Sequence, residues 1–289
     1  MYAMSIRQII AEIHLQLAEK YPEREIDSFV RILFKHYLNI SPPELYLSHD
    51  GELPEEIAQQ IFTAVDELRK YRPIQYITGK TEFYGLQIDV TPDVLIPRPE
   101  TEELVDWIVR EYERNAALSI VDIGAGSGCI AVALKSNFPN ANVWAADISE
   151  GALSVARRNA ENNNLKLNYL LADVLKEDMM GFEYGSLDVV VSNPPYVTPA
   201  EQRQMQPNVL DYEPHVALFT AGSDPFIFFK HIAAFSIKSL KNGGKIFFEI
   251  NEAYPEEVTD ILKQHYFSDI SARKDINGKW RMVSARRFC

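Results

Sequence analysis

Val121-Asp122-Ile123-Gly124-Ala125-Gly126-Ser127-Gly128 is the stretch on which the reading of the fold turns. The apolar run over 118–123 reads as a buried strand, and the glycines after it permit positive φ and close approach of a ligand to the backbone. A helix is expected over 128–136. Outward from there, strands at 142–146, 167–171, 187–192 and 245–250 alternate with helices at 150–163 and 225–240. That βαβα order predicts a parallel sheet with helices on both faces, an α/β domain of Rossmann-like type. Near the C-terminus, Ile276-Asn277-Gly278-Lys279 separates strands expected at 269–273 and 281–286. Asn-Gly suits a tight hairpin turn, so the sheet is expected to end in antiparallel strands.

Upstream the period is helical throughout. Ile6, Ile9, Ile10, Ile13 and Leu17 share one face, as do Ile26, Phe29, Val30, Leu33, Phe34 and Tyr37. Ser41-Pro42-Pro43-Glu44 reads as a capped helix start, and Ile57, Ile61, Val65 and Leu68 mark a further helix. Residues 1–72 therefore read as a small helical bundle whose apolar stripes form its core. Residues 73–98 read as a connector containing a β-hairpin bent at Gly85, and 99–289 as the α/β domain. Pro97-Arg98-Pro99-Glu100-Thr101-Glu102 opens a helix, with Thr101 or Glu100 expected as its cap.

Composition narrows the function classes. The formal net charge is −12 over 289 residues, a field that repels polyanions, and the basic residues are scattered apart from Arg281, Arg286 and Arg287. A protein substrate or basic partner is expected rather than direct contact with nucleic acid. No apolar run has the length of a membrane helix, and the first residues do not read as a cleaved leader. Two cysteines, Cys129 and Cys289, cannot form a disulfide framework, no Cys/His cluster has metal-ligand spacing, and a reduced cytoplasmic location is expected.

A G-x-G-x-G turn after a strand fits nicotinamide, flavin and S-adenosylmethionine binders alike. Asp147 ends the second strand, where a carboxylate can accept from both ribose hydroxyls of an adenosine. Asp173 follows the third strand, placed to meet the adenine amino group while Val174 packs on the ring. The missing sixth-position glycine and the absence of a hydride-transfer constellation argue against a dinucleotide.

Asn193-Pro194-Pro195-Tyr196 follows the fourth strand and falls at the same sheet edge. The Asn193 side-chain oxygen and the Pro194 carbonyl can each accept one N–H of a planar NH₂ group. They would thereby stabilise the positive charge that develops when its nitrogen attacks a methyl group. The prolines hold φ and supply no competing donor, and Tyr196 is expected to offer a flat face to the acceptor.

With these residues in hand, the chain resembles the HemK/PrmC family, methyltransferases of peptide-chain release factors. The likeness extends over nearly the whole length. It is carried by Pro73-Ile74-Gln75-Tyr76-Ile77-Thr78-Gly79, by Phe83-Tyr84-Gly85-Leu86 and by Val94-Leu95-Ile96-Pro97-Arg98-Pro99-Glu100-Thr101-Glu102. The Gly124–Gly128 loop, Asn193–Tyr196, Tyr212-Glu213-Pro214 with Ala217-Leu218, and Asp275, Gly278 and Arg281 also match. The resemblance implies a helical N-terminal domain that binds release factors, a β-hairpin and a class I S-adenosylmethionine-dependent methyltransferase domain. It implies methylation of the glutamine amide in the Gly-Gly-Gln tripeptide of class-I release factors, with S-adenosylhomocysteine as product. By position it assigns Gly124, Ala125, Gly126, Ser127, Gly128, Asp147, Asp173, Val174 and Asn193 to the cofactor and Asn193, Pro194, Pro195 and Tyr196 to the glutamine. Arg98, Glu100 and Thr101 come near the site, either in function or in ordering the loop. Val174 stands where some relatives carry an aromatic, and Asn251 and Pro225 where a glycine is common.

The acceptor motif is shared with adenine-specific nucleic-acid methyltransferases, the main alternative, which the acidic balance opposes. A binding module that keeps the cofactor pocket without turnover is the other, opposed by the intact acceptor loop.

Overall fold

The structure is a computed structural model that describes residues 4–47, 51–176, 181–197, 202, 205–220 and 224–288. It divides into two compact units, one holding residues 1–79 with Gln206–Tyr212 and the other the remainder.

The first unit is helical: α1 (Ile6–Leu17), α2 (Glu23–Leu38), α3 (Pro42–Leu47), α4 (Glu55–Leu68) and α5 (Ile74–Thr78), with a single turn, α9 (Pro207–Leu210), added from later in the chain. Ser5 and Gln8 form a reciprocal capping box at the start of α1, which satisfies two amide donors that a helix leaves unpaired. At α3 the Glu44 carboxylate accepts from both the amide and the hydroxyl of Ser41, so the serine donates where a capping serine would accept. The predicted stripes meet: Ile9, Ile13, Leu17, Leu33, Phe34, Ile61 and Val65 are all fully buried in one cluster, each contributing about 1.5–3 kcal/mol by leaving water. Ile74 of α5 belongs to that cluster, and the compact unit runs to Gly79. Tyr212 is tied in by its hydroxyl, which donates to the Lys70 carbonyl at 2.8 Å.

The second unit opens with the expected hairpin, β1 (Lys80–Phe83) and β2 (Leu86–Asp89), antiparallel across Tyr84 and Gly85. Helix α6 (Pro99–Glu111) follows with Arg98 at its N-cap and no side-chain cap. Thr101 and Glu100 do not cap it. They lie inside the first turn, and the Thr101 hydroxyl is drawn to a buried carboxylate instead.

The sheet has seven strands: β3 (Ser119–Ile123), β4 (Asn142–Asp147), β5 (Asn168–Leu171), β6 (Leu187–Ser192), β7 (Leu240–Glu249), β8 (Phe267–Lys274) and β9 (Trp280–Arg287). Their order is β5-β4-β3-β6-β7-β9-β8, parallel from β5 to β7, with β9 antiparallel to both neighbours. The helices between them are α7 (Cys129–Asn137), α8 (Glu150–Asn162), α10 (His215–Leu218), α11 (Ile227–Ser239) and α12 (Pro255–Gln264). Strands covered on both faces read as continuous apolar runs: Val189, Val190 and Val191 of β6 are fully buried. Strand β7 begins earlier than its apolar run. Leu240 pairs with Leu187, and the register shifts before Lys245 pairs with Val189, so Lys241–Gly244 forms an irregular lead-in that periodicity does not reveal.

The chain moves outward from β3 in both directions, to β4 and β5 on one side and to β6 and β7 on the other. Such a switch point opens a crevice beyond the carboxyl ends of the central strands. Cys129, at the start of α7, is buried as a free thiol; Cys289 lies outside the described residues. Among the described residues no helix is long and apolar enough to cross a membrane.

Gly128 N-caps α7 at φ 75°, and a Cβ there would stand 2.8 Å from the Ala156 Cβ. At Gly124, with φ +73°, a Cβ would meet nothing within 4 Å. Gly124→Ala is therefore expected to cost about 1–2 kcal/mol, the left-handed strain alone, and Gly128→Ala distinctly more because α8 must also move. Urea unfolding of the two variants measures this, and equal losses would show that the Ala156 contact relaxes freely.

Candidate active site

A cavity of about 580 Å³ lies at the carboxyl edge of the sheet in the second unit. Gly124 and Gly126 line it after β3, Asp147 at the end of β4, Asp173 and Val174 after β5, and Asn193, Pro194 and Pro195 after β6. Four separate loops thus converge because four parallel strands end on the same side. No Cβ closes the wall at Gly124 or Gly126, where the space beyond each Cα is open.

Asp147 is held from below. Its Oδ2 accepts from the Gly126 amide at 2.8 Å and its Oδ1 from the Ser149 amide at 2.9 Å. Burial nevertheless holds its carboxyl above the ordinary range, against these backbone bonds. Asp173 Oδ1 accepts from the Leu175 amide at 3.0 Å, and Val174 packs against the main core cluster. A carboxylate has about four lone-pair sites, so each acid keeps acceptor capacity toward the cavity.

Not every sequence-assigned residue reaches the space. Ala125 and Ser127 are buried and shape the loop from behind, the Ser127 carbonyl accepting from Asn159 Nδ2 at 2.9 Å. Gly128 is pressed against α8. Tyr196 does not line the cavity either. It packs against the main core cluster and its hydroxyl donates to Glu249 Oε1 at 3.2 Å. Asp122, at the Asp-x-Gly position, turns away from the cavity to the start of α7, where Oδ2 accepts from the Ala131 amide at 3.2 Å.

The residues that sequence reading missed come from outside the four strand ends. Asp93, Val94 and Leu95 close one side, and His215, Val216 and Phe219 another. These two walls are joined, since Glu213, 3% exposed, accepts from the Ile96 amide at 3.2 Å and from Arg98 Nη2 at 2.5 Å. Arg98 therefore orders the loop. Only a chain-wide motif such as Tyr212-Glu213-Pro214 signals this partnership, because its members stand far apart in sequence.

Comparison with known proteins bears on the same two regions. The PrmC N-terminal domain family matches residues 8–79, and the methyltransferase small domain family residues 102–212. A release factor glutamine methyltransferase of Bacteroides thetaiotaomicron is 40% identical over 98% of this chain and 100% of its own. One from Flavobacterium psychrophilum is 38% identical over 97% and 98%. The chain belongs to the release factor glutamine methyltransferase family. Among solved structures, a methyltransferase from Pyrococcus furiosus shares the fold, with TM-score 0.52 and 20% identity over 71% of this chain and 90% of that one.

Asn251 closes its own turn by accepting from the Ala253 amide at 3.0 Å. Asp224, before Pro225, accepts from the Phe226 amide at 3.0 Å and pairs with Lys230. Val174 lines the cavity as an aliphatic wall. Among the described residues no group of three or more His, Cys, Asp or Glu is arranged to hold a metal ion.

Asp122 is fully buried and its Oδ1 has no hydrogen-bond partner. Burial pushes its carboxyl up to about 8, from an ordinary 3.8, with the nearby Asp147 charge adding to the shift. An unfolded chain releases this proton near the lower value, so folding takes up a proton between the two. The group's contribution to stability is complete below that window and is lost as pH rises through it. Asp122→Asn is expected to gain in melting temperature relative to the parent as pH is raised from about 5.5 to about 8. A difference that stays constant with pH would refute the assignment.

Proposed function

We propose that this enzyme methylates the side-chain amide nitrogen of the glutamine in the Gly-Gly-Gln tripeptide of class-I peptide-chain release factors, with S-adenosylmethionine as donor. The observation that carries the proposal is a single cavity, walled at one end by Gly124, Gly126, Asp147, Asp173 and Val174 and at the other by Asn193, Pro194 and Pro195. Methyl transfer needs the donor and acceptor groups in one dry space, in line and within reach.

The residues present fit the cofactor. The open faces of Gly124 and Gly126 admit a ligand against the backbone, and Asp147, Asp173 and Val174 line the same cavity, the first to accept from ribose hydroxyls and the other two to meet the adenine in this reading. When bound, S-adenosylmethionine supplies a methyl group activated by its sulfonium charge. The chain's own contribution is positioning. Asn193 Oδ1 and the Pro194 carbonyl take the two N–H groups of the glutamine amide, aim its nitrogen, and stabilise the charge that grows on it as the C–N bond forms. The proton lost from that nitrogen becomes acidic only as the bond forms, so no strong base is required.

The N-terminal helical unit, in this reading, holds the release factor away from the tripeptide, and the enzyme works in the cytoplasm beside the translation machinery. A net charge of −12 favours such a protein acceptor over a nucleic-acid adenine, which shares the planar NH₂ chemistry.

The direct test is incubation with labelled S-adenosylmethionine and a bacterial release factor, beside a variant factor whose tripeptide glutamine is alanine. Label on the wild-type factor alone is expected; label on neither, with label on total RNA, would overturn the glutamine assignment. Asn193→Ala should cut turnover about 10²-fold while cofactor binding by calorimetry stays within a few-fold. Asp147→Ala should weaken cofactor binding instead, and unchanged affinity in that variant would remove Asp147 from the ribose site.

A further inference from the structure

Two side chains of the acceptor loop, Asn193 and Tyr196, meet Thr101 and Glu249 from two other parts of the chain. Thr101 and Glu249 are 3% and 1% exposed. The Thr101 hydroxyl donates to Glu249 Oε2 at 2.6 Å, and the Tyr196 hydroxyl donates to Oε1 at 3.2 Å. Asn193 Nδ2 donates to Thr101 Oγ1 at 3.3 Å.

The direction of these bonds carries information. A hydroxyl has one proton to give and lone pairs to receive with. A carboxylate with both oxygens engaged accepts only, so it claims the Thr101 proton and leaves the Thr101 oxygen facing Asn193 as an acceptor. Only the NH₂ end of the Asn193 amide can satisfy that acceptor. The amide is planar, with nitrogen and oxygen on opposite edges, so Oδ1 is left on the edge away from Thr101. Burial raises the Glu249 carboxyl above its ordinary range, against the hydroxyl bond from Thr101 and the Arg281 charge beside Glu249 and Tyr196. Arg281 is itself aimed by Asp275, whose Oδ2 accepts from Arg281 Nε at 3.4 Å.

We propose that Glu249 and Thr101 are positioning residues that set which edge of the Asn193 amide meets the acceptor, through the enforced direction of the Glu249–Thr101–Asn193 hydrogen bonds. The inference rests on the acceptor role given to Asn193 above. A flipped Asn193 would present N–H to the incoming amide NH₂, donor against donor, and the methyl acceptor would lose an orienting contact without any change at the cofactor end of the cavity.

Three substitutions read this out. Thr101→Val keeps the shape and removes the hydroxyl, Thr101→Ser keeps the hydroxyl, and Glu249→Gln presents a donor to one of the two hydroxyls. With a release factor as substrate, Thr101→Val is expected to lower kcat about 10- to 100-fold and Glu249→Gln to lower it by no more than that, both with cofactor Kd within about twofold. Thr101→Ser should stay within about threefold of the parent, and the double variant Thr101→Val/Glu249→Gln should be no slower than the slower single variant, since both break one chain of bonds. Multiplying losses in the double variant, a Thr101→Ser as slow as Thr101→Val, or full kcat in Thr101→Val would overturn the proposal. If Glu249→Gln does not fold, the Val/Ser pair at 101 decides alone. Asn193→Ala run alongside separates the two levels. Slow Asn193→Ala with fast Thr101→Val sinks the positioning role alone, whereas fast Asn193→Ala sinks the reading of the site on which it rests.

Discussion

A hydrogen bond of 2.6 Å from the Ser192 hydroxyl to the Ile123 carbonyl joins the last residue of β6 to the last residue of β3. Both residues are buried, and both are followed at once by the loops that define the site: Gly124–Gly128 after one, Asn193–Tyr196 after the other. The two strands run parallel, with Ile123 in register with Ser192, so the loops leave the sheet side by side and in the same direction. A slip of one residue in that pairing would turn the inward side chains of β6 to the opposite face and carry Asn193 out of line with Gly124. The adjacency of β3 and β6 is therefore the constraint on which both halves of the cavity depend.

Around that pairing the structure buries several carboxyl groups, each handled differently. Removing a carboxylate from water is costly unless hydrogen bonds or charges compensate. Asp147 is compensated by two backbone amides, Glu213 by Arg98 and the Ile96 amide, and Glu249 by two hydroxyls with Arg281 nearby. Asp122 has one amide only, and burial raises the proton affinity of Asp122, Asp147 and Glu249 alike. The partners of Asp147, Gly126 and Ser149, line the cavity themselves, while those of Glu213 and Glu249 adjoin it in sequence or through Asn193.

Much of this was legible in the sequence because it is written locally. The apolar run 118–123, the glycines behind it, and Asn277-Gly278 between two strands each encode their own geometry within a few residues. Asn193-Pro194-Pro195 could be placed at the site because a loop after a parallel strand must lie at the carboxyl edge. Thr101 was read as a helix cap because a hydroxyl in a first turn commonly caps. Its partner, Glu249, is 148 residues away and no local rule connects them. Nothing near Tyr196 in sequence announces the buried Glu249 carboxylate that its hydroxyl meets.

The sequence by itself determined the alternation of strands and helices, the turn chemistry and the residue types at each strand end. These follow from backbone sterics and from hydrophobic periods that act over one or two turns of chain. Only the tertiary structure decided which strand ends are neighbours, that Gln206–Tyr212 packs with the N-terminal helices, and that Glu249 and Thr101 stand behind Asn193. Those arrangements depend on sheet order and on matching buried donors to buried acceptors. Such matching is settled between distant segments only when the chain has folded and water is no longer available to either partner.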